Sequence, residues 1–187
     1  MKEDIVVPAG NEEEFASNAK RLGYNTLYFA YTENIPKIDF EKLGKDTGLS
    51  IIPALFTSKD KIGKDINKTK YLIIYATSDD RAVFENNKLW LILGVEGSEK
   101  KDHMHNRRSG LNQVLCGLAR QHDIRLGASL MDILSLPDKR KVQILGRVAA
   151  NHRICSKYKV NYQLYSFAHK PSELVGRIEQ DSLLNLM

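Results

Sequence analysis

Asp102-His103-Met104-His105 is the place in this chain where residue types and spacing come nearest to catalytic chemistry. Two imidazoles one residue apart share a face of an extended backbone and can bind one metal ion. A catalytic metal needs three or four converging ligands, and this segment offers two. Lys100, Lys101, Arg107 and Arg108 surround the pair, and His122, His152 and His169 are scattered elsewhere. Strand ends mostly present Ser, Ala, Thr and Gly. No metal site is therefore assigned, and His103 and His105 are ligands only in an alternative reading, a metal-dependent phosphoesterase. A Gly-rich phosphate loop, a Gly-x-Ser-x-Gly elbow and a Cys-x-x-Cys pair are all missing. No catalytic residue is assigned either.

Positive charge is the stronger lead. Arg107 and Arg108 precede Ser109, a good N-cap, so their guanidiniums and the first free amides of a helix would point the same way, an arrangement suited to phosphate. Lys139-Arg140-Lys141 follows Pro137-Asp138 in the first turn of a long helix. Three cations there oppose the helix dipole at a few tenths of a kcal/mol each, roughly, a cost that a bound polyanion would remove. Lys157 and Lys159 bracket Tyr158 at the end of that helix, where cations suit the dipole. The net charge of +5 is uneven. Residues 1–97 carry 13 Lys/Arg against 15 Asp/Glu, and residues 98–187 carry 15 against 8. That asymmetry fits a polyanion on the C-terminal half.

These side chains must be held by alternating strands and helices. Ile5-Val6-Val7 starts the series. Asn11 caps a helix with Glu12, Glu13 and Glu14 in its first turn. Thr26–Tyr31, Ser50–Phe56, Tyr71–Tyr75 and Leu89–Leu93 are strand-like runs, with Pro53 expected to leave the second of these bulged or irregular. Short helices are expected at Phe40–Asp46 and Asp79–Asn86, and Thr57–Lys70 is lysine-rich and weakly patterned. After Ser109, Leu111, Val114, Leu115, Leu118 and Ala119 form one apolar helical stripe. A strand near 125–130, a helical stretch through Lys157 and a last strand at 162–168 bring the strand count to seven. Near-continuous apolar strands between helices mean a parallel sheet with both faces covered. Periodicity alone leaves an open doubly wound sheet and a barrel equally possible.

The 187 residues, 42% hydrophobic and 27% charged, fit one globular α/β domain over residues 1–187. No apolar run approaches the ~20 residues needed to span a bilayer. Met1-Lys2-Glu3-Asp4 lacks the pattern of a secretion signal, so a cytoplasmic location is expected. Cys116 and Cys155 read as small buried hydrophobes.

Four further words carry a family resemblance. Ser109-Gly110-Leu111-Asn112-Gln113-Val114-Leu115-Cys116, then Leu126-Gly127-Ala128-Ser129-Leu130, then Lys157-Tyr158-Lys159-Val160 with Ser166-Phe167-Ala168, together resemble the component 3 family of archaeal ribonuclease P. The resemblance covers roughly residues 105–181. It implies a single TIM-like (β/α) barrel of about seven parallel strands, related to the polymerase-and-histidinol-phosphatase superfamily. Those phosphoesterases begin with a His-x-His pair at the end of the first strand, where this chain has Val6-Val7-Pro8-Ala9.

The resemblance also implies a subunit that lacks catalysis of its own and binds no cofactor. It would support a catalytic RNA that uses Mg²⁺ to remove the 5′ leader of precursor tRNA. Implied partners are the ribonuclease P RNA, protein component 2 in a heterotetramer, the other ribonuclease P proteins, and precursor tRNA through the complex, with no membrane. Arg177 and Asp181 match an Arg and Asp four residues apart after the family's last strand. Asn112, Ser129 and Ser166 match small or polar positions at one barrel end, either structural or facing RNA. The expected RNA contacts are Arg107, Arg108, Lys139, Arg140, Lys141 and Arg177.

Overall fold

The apolar runs form seven strands in the computed structural model of the chain, which describes residues 2–77, 81–98 and 109–187. The order is β1 (Glu3–Val6), α1 (Glu12–Arg21), β2 (Thr26–Tyr31), α2 (Phe40–Thr47), β3 (Ser50–Phe56), α3 (Ile62–Asp65), β4 (Leu72–Tyr75), α4 (Arg81–Phe84) and β5 (Leu91–Leu93). There follow α5 (Gln113–Gln121), β6 (Arg125–Ser129), α6 (Leu130–Ser135), α7 (Asp138–Tyr158), β7 (Tyr162–Tyr165) and α8 (Arg177–Leu186). All neighbouring strands pair in parallel and in chain order. Beyond β7 the backbone continues alongside β1: Phe167 N–H donates to Ile5 O at 2.8 Å, and Val7 N–H to Ala168 O at 2.9 Å. The sheet is thereby a nearly closed barrel wrapped by helices.

Closure explains why the strands read as unbroken apolar runs. Alternate side chains point to opposite faces. Ile5, Tyr28, Ala30, Ala54, Ile73, Leu91, Leu93, Tyr165 and Phe167 fill the interior. Val6, Leu27, Phe29, Leu55, Leu72, Ile74, Ile92, Leu126 and Leu164 face the helices.

Four local expectations change. Pro53 does not bulge β3, which pairs with β2 without interruption from Ser50 to Leu55. The N–H groups of Leu55 and Thr57 bond toward β4, and that pairing begins only at Leu55. Pro53 therefore lacks its donor where no partner strand has yet arrived. Ser109 is not a helix cap: it is buried, and Asn112 caps α5 by accepting from Leu115 N–H at 2.9 Å. The intervening Gly110 has φ +82°, which delays the helix. Val114, expected on the inner stripe, is 55% exposed, while Ala119 is buried as expected and Cys116 is buried beside it. The stretch after β6 is two helices, because Leu136 turns extended before Pro137.

Cys116 and Cys155 are fully buried free thiols, hydrogen-bonded to each other between α5 and α7. That hydrogen bond, with burial, pushes Cys155 well above the ordinary thiol range.

Candidate functional site

The two ends of the barrel differ. At the N-terminal end of the strands, Arg125 donates to Glu3 at 2.6 Å, and its guanidinium lies 5.4 Å from the centre of the Trp90 ring. Tyr28 packs 4.4 Å from Trp90 and 5.3 Å from Tyr71. Burial, with Glu3 nearby, pushes the Tyr28 phenol up to about 12. This end is plugged by aromatic rings around one ion pair.

The C-terminal end is open. A cavity of about 640 Å³ is lined by Val7, Phe56, Ile74, Tyr75 and Phe167, with Thr32, Thr57, Ser58, Lys59, Asp60, Thr77, Asp132 and His169 at its rim. Phe56 closes β3 and Tyr75 closes β4, and their rings stack 5.5 Å apart at an interplanar angle of 8°. Phe167 stands 6.0 Å from Phe56. The Tyr75 hydroxyl donates to Asp132 Oδ2 at 3.0 Å, yet 46% of the residue stays exposed. Desolvation and the Asp132 carboxylate hold this phenol protonated far above its ordinary range. In α/β barrels, strand C-termini carry the ligand sites, because the loops there are free to vary around a fixed scaffold. The sequence reading passed over Phe56, Tyr75 and Phe167, since aromatic residues ending apolar strands look like core. Their position as the last residue of each strand, or just beyond it, is the signal that could have found them.

Beside the mouth runs a lysine-rich stretch. Residues 57–70 hold Lys59, Lys61, Lys64, Lys68 and Lys70 against Asp60 and Asp65. Thr32, Glu33, Phe56, Thr57, Ser58, Lys61, Lys64, Asp65 and Lys68 line a second hollow that shares Phe56, Thr57 and Ser58 with the mouth. Lys68 is 3.2 Å from Asp65, whose carboxyl is lowered by hydrogen bonds from Thr57 and Lys68 and by the Lys68 charge, against the opposing effect of burial.

Of the cations singled out in the sequence, Lys139 is exposed and Arg140 and Lys141 half-buried in the first turn of α7. Lys141 Nζ lies 3.7 Å from Asp138, and Arg140 bonds to Gln143 one turn on. Arg177 is engaged within the chain: it pairs with Asp181 and reaches Gln163 Oε1 at 3.3 Å, leaving its side chain 11% exposed. Asn112 and Ser129 are helix caps, Ser129 accepting from Asp132 N–H at 3.1 Å. Ser166 is buried against Asp4. Arg107, Arg108, His103 and His105 lie outside the described residues. Among the described residues, no group of three or more His, Cys, Asp or Glu side chains is placed to hold a metal ion.

The roots of the segment carrying Arg107 and Arg108 are described. Arg147 of α7 donates to Glu96 O at 2.8 Å, and Asn151, one turn later, donates to Ser109 O at 2.9 Å. Gly110 sits so close to Val95 that a Cβ would lie 2.0 Å from its carbonyl oxygen. Residues 95–98 and 109–110 thus meet at one point on α7, two to three helical turns from Lys139–Lys141.

No family model matches the chain. It is 28% identical over 124 residues to ribonuclease P protein component 3 of Methanosarcina acetivorans, covering 65% of this chain and 48% of that protein. It is 25% identical over 178 residues to the protein of the same name from Methanosarcina mazei, covering 89% of this chain and 70% of that one. The chain is a homologue of ribonuclease P protein component 3. The matched region spans about half of the first homologue's own length. The fold superposes on a chain in the cryo-EM structure of archaeal ribonuclease P with mature tRNA with a TM-score of 0.78, at 19% identity, over 97% of this chain and 81% of that one. The similarity thus reaches beyond the four short words of the C-terminal half to 89% of this chain.

Proposed function

We propose that this chain is a protein subunit of an archaeal ribonuclease P, supporting a catalytic RNA in endonucleolytic removal of the 5′ leader from precursor tRNA. The observation that carries the reading is the pair of component 3 homologues, with the same barrel at a TM-score of 0.78. In this reading the RNA performs the chemistry with Mg²⁺, and the isolated chain has none.

The contribution of the protein is electrostatic and steric. RNA helices pack only when phosphate repulsion is neutralised, and cations that displace condensed counterions do so with a strong salt dependence. Lys139, Arg140 and Lys141 at the start of α7 are the described cations that best fit this role. Arg107 and Arg108, outside the described residues, are proposed contacts as well. Arg177 is proposed to order α8 through Asp181 and to meet RNA only along its exposed edge. A protein partner, component 2 in a heterotetramer, and the other ribonuclease P proteins complete the reading. Val142 and Ile178, 71% and 65% exposed, are apolar surface that such a partner would cover. Among the described residues no helix is long and apolar enough to cross a membrane.

The test is reconstitution of the chain with ribonuclease P RNA and component 2, following precursor-tRNA cleavage at limiting Mg²⁺. Adding the chain is expected to lower the Mg²⁺ requirement. Lys139→Ala/Arg140→Ala/Lys141→Ala is expected to reverse that gain and to reduce the slope of log K against log salt by about 2 to 3. Unchanged cleavage, or turnover by the chain without RNA, overturns the reading.

A further inference from the structure

The C-terminal mouth is built but has no part in the function described so far. We propose that it takes one unpaired nucleobase of a bound RNA strand, stacked on the Phe56–Tyr75 pair, with the neighbouring phosphates running along Lys61 and Lys64. The proposal rests on the RNA-subunit reading and adds a base-stacking site on the opposite half of the sequence from the cations proposed above.

Three observations select this occupant. The first is shape: the cavity, about 640 Å³, lies within the ~300–1,000 Å³ of small-ligand sites, and it is lined by the parallel, stacked rings of Phe56 and of the half-exposed Tyr75. A flat π-surface accepts any base, and it costs little ordering entropy because Asp132 already pins the Tyr75 hydroxyl. The second is the division of charge. Asp60 and Asp132 stand at the rim of the mouth with Lys59 and His169, so the rim has no excess of positive charge to select a phosphate and offers carboxylates to a neutral ring bearing N–H donors. The third is what adjoins it. Lys61 and Lys64, both exposed, lie in the hollow that shares Phe56, Thr57 and Ser58 with the mouth. An aromatic platform next to a cationic track is the arrangement by which proteins hold single-stranded nucleic acid. A β-strand peptide fits less well, because the nearly closed barrel offers no free sheet edge at the mouth.

The experiment measures anisotropy of a short fluorescent oligouridylate, and of an RNA duplex of equal length, on the full chain at one salt concentration. Tyr75→Ala is expected to weaken oligouridylate binding about tenfold while duplex binding and Tm stay near wild type. Tyr75→Phe, which keeps the ring, is expected to retain the affinity. If Tyr75→Ala binds oligouridylate like wild type while Lys139→Ala/Arg140→Ala/Lys141→Ala does not, the mouth proposal falls and the subunit reading stands. If wild type binds neither RNA, both fall. A second measurement is independent of any destabilisation by Tyr75→Ala. A benzophenone amino acid replacing Ser58 in the reconstituted particle is expected to crosslink to RNA. Crosslinking to a protein subunit, or to nothing, overturns the base-stacking site.

Discussion

Glu96 shows how one side chain carries a measurable consequence of the loop architecture. It is 4% exposed, next to the Arg147 that clamps its own carbonyl. Burial pushes its carboxyl up to about 7, Asp132 adds to the rise, and Arg147 and Tyr162 oppose it. The unfolded chain releases this proton near the ordinary value of 4.5. Between those values the folded state binds more protons than the unfolded one, so this group's contribution falls as pH rises, by up to about 1.4 kcal/mol per pH unit. Glu96→Gln cannot titrate. Its Tm is expected to lose less than wild type from about pH 5 to 7 and to exceed wild type at about pH 8. Parallel melting curves for the two proteins would contradict this. The residues legible in the sequence were the cations and the histidines, whose types advertise chemistry. Glu96, Asp4 and Tyr75 were not, because their environments are assembled by chain segments far apart.

At the scale of elements, the contact between the 3-10 turn at Val95–Gly97 and the entry to α5 depends on Gly110. A Cβ there would meet Val95 O at 2.0 Å, and φ is +82°. Gly110→Ala is expected to lower stability by about 2 kcal/mol or more, seen as a lower urea midpoint. Gly63→Ala in α3, where nothing lies within 4 Å of the added carbon, is expected to be neutral or slightly stabilising. Equal losses at both sites would show that contact with Val95 is not the cause. The same glycine explains a misplaced helix start. Ser109 has the right chemistry for a cap, but a left-handed residue follows it and the backbone enters the helix only at Asn112. The seven strands were legible because their apolar runs reflect burial on both faces. Pro53 was misread because sequence does not tell which edge of a strand is paired at a given residue. The half-by-half charge count likewise hid the five lysines of residues 57–70 inside a net-negative half.

At the scale of the molecule, the barrel is closed by Asp4. Its carboxylate accepts from Ser166 N–H at 2.8 Å, Ser166 Oγ at 2.5 Å, Gln180 Nε2 at 2.8 Å and the Tyr24 hydroxyl at 3.1 Å. Burial raises its pKa, and the Ser166 and Gln180 hydrogen bonds work against that rise. Asp4→Ala strands several buried donors and is expected to cost at least about 3 kcal/mol, read from urea denaturation. A loss under about 1 kcal/mol would mean that the seam holds without this residue. Barrel rather than open sheet was undecidable from periodicity, because closure is a relation between the ends of the chain. That relation has an outcome during synthesis. The first strand leaves the ribosome long before Ser166 and Gln180, its partners 162 and 176 residues later. Until the last helix emerges, the nascent protein carries an unpaired strand edge and an unshielded carboxylate. Closure is therefore a late event, and a chain stalled before α8 is a sheet with one open side and a tendency to aggregate.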